Sequence, residues 1–86
     1  MQKEITIRKP DGVTNKDAAA LVQRAMRFDS EVYIEQGSKR VNAKSIMGVL
    51  SLGLKNGSSI ILSAKSDDEE DALYDLKRLI DHGFVL

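Results

Sequence analysis

The apolar residues of this chain keep two different periods and switch between them along its length. From Gln2 to Lys9, Ile5 and Ile7 share one face and charged or polar groups hold the other, the period of a half-buried strand. Pro10-Asp11-Gly12 interrupts it with turn chemistry. From Asn15 to Phe28 the spacing becomes helical, with Ala18, Leu21, Val22, Ala25 and Met26 on one stripe and Gln23, Arg24 and Arg27 opposite. Thr14, followed three residues later by Asp17, forms the pattern of a capping box with Asp in the usual place of Glu. Alternation returns in Glu31–Gln36 around Val32 and Ile34, Gly37-Ser38 suits a tight hairpin, and Lys39–Asn42 comes back around Val41. Ser45 to Leu50 predicts one or two helical turns with Ser45 at the N-cap. After the Asn56-Gly57 turn, Ser58–Lys65 alternates again, with Ile60, Leu62 and Ala64 on one face and Ile61 on the other. Asp67–Asp81 is the last helix, with a stripe of Leu73, Leu76, Leu79 and Ile80 and a stop at Gly83.

The element order is therefore β-α-β-β-α-β-α, an α+β chain. Strands that mostly alternate predict a four-stranded antiparallel sheet with one buried and one wet face. Three helices on the buried face complete two layers. The expected core is Ile5, Ile7, Leu21, Val22, Ala25, Val32, Ile34, Val41, Ile60, Leu62, Leu73, Leu76 and Ile80. With 86 residues, the chain exceeds the roughly 55–65 at which small domains fold unaided, and it leaves room for a single domain over 1–86.

Several function classes fall away. The absence of cysteine excludes disulfides, thiolate metal sites and cysteine nucleophiles, and the one histidine, His82, excludes any site that needs two imidazoles. No nucleotide loop, zinc-protease helix or serine elbow occurs, so an enzyme is not expected. The acidic run Asp67–Asp71 lacks the spacing of a calcium loop and sits where carboxylates favour a helix start, while Lys77, Arg78 and His82 sit where cations favour a helix end. No metal or cofactor is expected. No apolar run approaches the roughly 18 residues of a membrane span, and Met1 leads directly into polar residues rather than a signal peptide. The expectation is a cytoplasmic protein without membrane contact.

Charge is balanced overall but unevenly placed. Residues 36–66 hold five basic side chains and no acidic one, whereas residues 67–86 hold seven acidic and two basic, so these segments carry +5 and −5. Such a basic block serves as a solvated face, as a phosphate site or as a surface for an acidic partner. Direct nucleic-acid binding is disfavoured by overall neutrality and by only two Tyr and two Phe available to stack on bases. Thr14 and Ser45 are both hydroxyl residues at expected N-caps, positions that favour anions and equally serve as plain caps. Ser45 differs in its surroundings: Lys44 precedes it, and Ile46, Met47 and Leu50 follow.

The segment Val41-Asn42-Ala43-Lys44-Ser45-Ile46-Met47-Gly48 resembles the regulatory-serine motif of the HPr family, phosphocarriers of the bacterial sugar phosphotransferase system. Its Asn-Ala-Lys-Ser-Ile-Met-Gly form is most similar to the Crh branch, the HPr-like proteins of carbon catabolite repression. Leu21-Val22-Gln23 and Gly48-Val49-Leu50-Ser51-Leu52 extend the resemblance along the chain. It implies the HPr-like open-faced β-sandwich with strand order first, fourth, second, third. It implies Ser45 as the phosphorylation target of the HPr kinase/phosphorylase, the phosphorylated form acting as corepressor of a LacI-type catabolite-control regulator. Lys16, Lys44, Ile46, Met47 and Leu50 are the implied partner contacts.

The phosphocarrier motif is not preserved. Where the family has Gly-Ile-His-Ala-Arg-Pro, this chain has Gly12-Val13-Thr14-Asn15-Lys16-Asp17. Thr14 stands in place of the phosphoryl-accepting histidine and offers no nitrogen nucleophile. Crh proteins also lack that histidine but generally keep the Arg-Pro pair, which is Lys16-Asp17 here. Thr14, Asn15, Lys16 and Asp17 thus read as a degenerate phosphocarrier site, and loss of carrier activity is expected. Two alternatives stay open: a phosphocarrier using another acceptor, and a diverged HPr-like docking module that is not phosphorylated.

Overall fold

A computed structural model describes residues 1–85. The strands are β1 (Gln2–Thr6), β2 (Glu31–Gln36), β3 (Lys39–Asn42) and β4 (Ser59–Lys65). The helices are α1 (Asn15–Ala25), α2 (Ile46–Ser51) and α3 (Glu69–Asp81). The strands form one antiparallel sheet in the order β1-β4-β2-β3, as the family resemblance implies.

Register explains the two faces. Ile5 pairs with Ile60, and Ile34 pairs with both Leu62 and Val41, so these side chains stand together beneath the helices. Leu21 and Val22 from α1, Val49 from α2 and Leu73, Leu76 and Ile80 from α3 close the same core. Each fully buried aliphatic side chain of this kind contributes about 1.5–3 kcal/mol. The other face stays wet; there the Arg40 guanidinium lies 4.0 Å from the centre of the Tyr33 ring, with Glu35 3.4 Å from it.

Element boundaries depart from the sequence periods for local reasons. β1 ends at Thr6 rather than Lys9: Ile7 still exchanges hydrogen bonds with Ser58 and Gly57, and there the segment leading into β4 turns away at Asn56-Gly57. α1 ends at Ala25 rather than Phe28, because Arg27 and Phe28 donate to Arg24 and Ala25, a tighter three-residue winding. Met26, placed on the apolar stripe by its spacing, is the C-cap and is 64% exposed. α2 runs to Ser51, β4 begins at Ser59 and α3 begins at Glu69, each one or two residues from expectation. Val41 is only half-buried because β3 is an edge strand; the other expected core residues are buried.

Loop residues without periodicity also enter the core: Ala43, Leu52, Leu54 and Phe84. Phe84 does so from a left-handed backbone (φ 68°), its N–H donating to the Leu79 carbonyl at 2.8 Å. The Asp68 carboxylate makes no cap bond to α3. It accepts instead from the Asp29 N–H at 2.8 Å, the Ser30 N–H at 3.0 Å and the Ser30 hydroxyl. That clasp fixes the α1–β2 loop.

Candidate functional site

The chain enters α2 through Asn42, whose side-chain oxygen accepts from the Lys44 N–H at 2.8 Å and whose carbonyl accepts from the Ser45 N–H at 3.1 Å. This turn leaves Ser45 extended (φ −117°, ψ 115°) at the N-cap. Its Oγ accepts from the Gly48 N–H at 3.1 Å, and its carbonyl takes the Val49 N–H at 3.0 Å. Among the described residues no acceptor takes the Ser45 hydroxyl proton, so the group is oriented and its proton remains available to an external base. Gly48 keeps the space beside it open: a Cβ there would lie 3.3 Å from Ser45 Oγ and 3.3 Å from the Val41 Cβ.

Val49 and Leu52 anchor α2 in the core, and Leu50 packs half-buried at its margin. The opposite side presents Ile46, 43% exposed, and Met47, 79% exposed. Apolar side chains exposed around an oriented hydroxyl make a small surface on which a partner can bury area. Lys44 is arranged differently from its sequence position. Its Nζ donates to the Phe28 carbonyl at 2.9 Å, serving the end of α1 rather than the neighbouring serine.

At the start of α1 the capping box is fully formed. Thr14 Oγ1 accepts from the Asp17 N–H at 3.2 Å, and the Asp17 carboxylate accepts from the Thr14 N–H at 3.1 Å. Lys9 Nζ lies 3.1 Å from the buried Asp17 carboxylate and also bonds Asp11. The Asp11 and Asp17 carboxylates raise Lys9 above its ordinary lysine range, and the Lys9 ammonium lowers Asp11. Asn15 and Lys16 are exposed beside this clasp. The donors that greet an incoming anion at a helix start are therefore partly used by the chain's own carboxylate.

The two helix starts lie at opposite ends of the α1–α2 pair. Lys44, before α2, reaches Phe28 just past the end of α1, whereas Val13, before α1, donates to the Leu54 carbonyl, beyond α2, at 3.0 Å. The length of α1 separates them, on the order of 16 Å for its 11 residues. Ser45, Ile46, Met47 and Leu50 thus cluster, while Thr14 to Asp17, including Lys16, form a separate end. The part of Phe28 in the Ser45 end was not legible, because a backbone carbonyl leaves no mark on residue type.

His82 is the exposed C-cap of α3, and no group of three acidic or imidazole side chains among the described residues could hold a metal ion. Among the described residues no helix is long and apolar enough to cross a membrane.

A family model described as "PTS HPr component phosphorylation site" matches residues 1–82. Among curated proteins, the HPr-like protein Crh of Halalkalibacterium halodurans is 42% identical over 73 residues, covering 85% of this chain and 87% of that one. Crh of Bacillus subtilis is also 42% identical over 73 residues, with 85% and 86% covered. The crystal structure of HPr-C-His from Thermoanaerobacter tengcongensis superposes with a TM-score of 0.93 at 43% identity, covering 98% of this chain and 94% of that one.

Proposed function

The chain belongs to the HPr family, and from that footing we propose that it is a Crh-like regulatory protein switched by phosphorylation of Ser45 and without phosphocarrier activity. The writing enzyme is the HPr kinase/phosphorylase, and the phosphorylated form is the corepressor partner of a LacI-type catabolite-control regulator in the cytoplasm. The observation that carries this reading is the contrast between the two helix starts. At Ser45 the hydroxyl is oriented and open, with Ile46 and Met47 exposed beside it. At Thr14 the hydroxyl is likewise a cap acceptor, but there the neighbouring anion position is held by the Asp17 carboxylate, and the exposed neighbours are the polar Asn15 and Lys16.

The chemistry follows from that geometry. A base on the kinase removes the Ser45 proton as Oγ attacks the γ-phosphorus of ATP, the bond from that phosphorus to the β–γ bridging oxygen breaks and ADP leaves, and the product phosphate carries about −1.5 to −2 charge at the positive end of α2. Phosphorylation is therefore structurally mild and acts by presenting charge beside an apolar surface. Incubation with HPr kinase/phosphorylase and ATP, followed by intact mass, should add one phosphoryl group, and Ser45→Ala should add none. An unlabelled chain would favour a docking module that needs no phosphate, and labelling from phosphoenolpyruvate through the general phosphotransferase enzyme would favour a carrier.

A further inference from the structure

Methionine usually sits inside a fold, yet every methionine here is on the surface: Met1 is 55%, Met26 64% and Met47 79% exposed. With no cysteine in the chain, these thioethers are its most readily oxidised side chains. Among the described residues Met47 is the most exposed of the large apolar side chains, and it stands two residues from the Ser45 hydroxyl beside exposed Ile46. Met1 lies elsewhere, its ammonium bonded to the Ala64 carbonyl and the Glu69 carboxylate.

From this placement we infer that Met47 is a redox modification site, whose oxidation to the sulfoxide by a hydroperoxide turns the α2 docking surface off. The thioether lone pair attacks one peroxide oxygen; the S–O bond forms as the O–O bond breaks. Sulfur loses two electrons, and the other peroxide oxygen leaves as alkoxide, or as hydroxide when the oxidant is hydrogen peroxide, and takes the proton to become the alcohol or water. An apolar, adaptable contact becomes a polar one that must be desolvated whenever a partner covers it. The fold does not register the change, because α2 is held by Val49 and Leu52 rather than by Met47. The inference rests on the reading proposed above that the kinase phosphorylates Ser45, two residues away, and adds that the enzyme must cover Met47 to reach that hydroxyl.

Trypsin separates the three methionines, and the fragment Ser45–Lys55 carries both Ser45 and Met47, so phosphate and sulfoxide are read on one peptide. The full-length protein is treated with hydrogen peroxide, and its phosphorylation by HPr kinase/phosphorylase and ATP is timed against untreated protein and against Met47→Leu. The expected result is a labelling rate lowered about tenfold by peroxide. Methionine sulfoxide reductase should restore it, and Met47→Leu should show no peroxide effect. The thermal midpoint of the oxidised protein should match that of the untreated one. Equal labelling of oxidised and untreated protein would overturn the inference and leave the Ser45 function standing. A peroxide effect that persists in Met47→Leu, or a fallen thermal midpoint, would also overturn it. No labelling of untreated protein would overturn the Ser45 function and the inference with it.

Discussion

Lys44 Nζ donates to the Phe28 carbonyl oxygen at 2.9 Å, which ties the residue before Ser45 to the chain leaving α1. Lys44→Met keeps the aliphatic stem and removes the donor. Urea denaturation should show a loss of about 1 kcal/mol, typical of one partly buried hydrogen bond. The rate of Ser45 phosphorylation should change little, since the ammonium is engaged away from the hydroxyl.

Ser45→Ala should cost about 1 kcal/mol by removing the N-cap acceptor, measured the same way. Ser45→Asp should keep the cap yet bind a catabolite-control regulator poorly, because a single carboxylate replaces a dianion with three acceptor oxygens. A binding titration of both variants and the phosphorylated protein compares them directly.

Gly48→Ala probes the space beside the hydroxyl. Alanine gains about 1 kcal/mol of helix propensity over glycine. Its methyl would press against Ser45 Oγ and the Val41 Cβ, each 3.3 Å away, which offsets that gain. Stability should therefore stay near that of the parent while phosphorylation slows, as a kinase time course would reveal.

Thr14→His alone should not confer phosphorylation from phosphoenolpyruvate, because Asp17 and its bond to the residue 14 N–H remain. Adding Lys16→Arg and Asp17→Pro should permit some transfer. Proline at 17 has no N–H for the cap, so the triple variant should lose about 1–2 kcal/mol. Radiolabel transfer and a denaturation curve measure the two sides of this exchange.

Acid should weaken the Asp68 clasp. The Ser30 hydroxyl first, and then the Asp29 N–H, lower the Asp68 carboxyl below its ordinary value. A carboxyl lowered on folding stabilises above its unfolded pKa of about 3.9 and loses that contribution as pH falls through the folded value. Thermal midpoints measured from neutral pH downward should converge for the parent and Asp68→Asn below that value, the parent being the more stable above it.

The sheet, the helices and both caps were legible because each leaves a local pattern: Ile60, Leu62 and Ala64 alternate, and Thr14 and Ser45 precede helical stripes. What escaped the sequence are contacts made by backbone groups or by distant partners. Asp68 stands among carboxylates that suit a helix start, and nothing in their spacing assigns it to Asp29 and Ser30. Phe84 follows Gly83 in what reads as a helix exit, yet a left-handed turn returns its ring to the core. Lys44 adjoins Ser45 in the chain, yet its Nζ is turned to the Phe28 carbonyl, a direction that residue order does not encode.

The place of β4 between β1 and β2 sets an order in time. During synthesis the β2–β3 hairpin can close as soon as Asn42 has emerged, but β1 has no partner until Ser59–Lys65 exists. Both ladders of β4 then form between segments remote in sequence, so their loop-closure entropy is met late and together. The first-made strand is thus among the last to be secured, and what secures it also joins the hairpin to the rest. Damage to β4 removes the sheet, whereas damage to β3 only trims its edge.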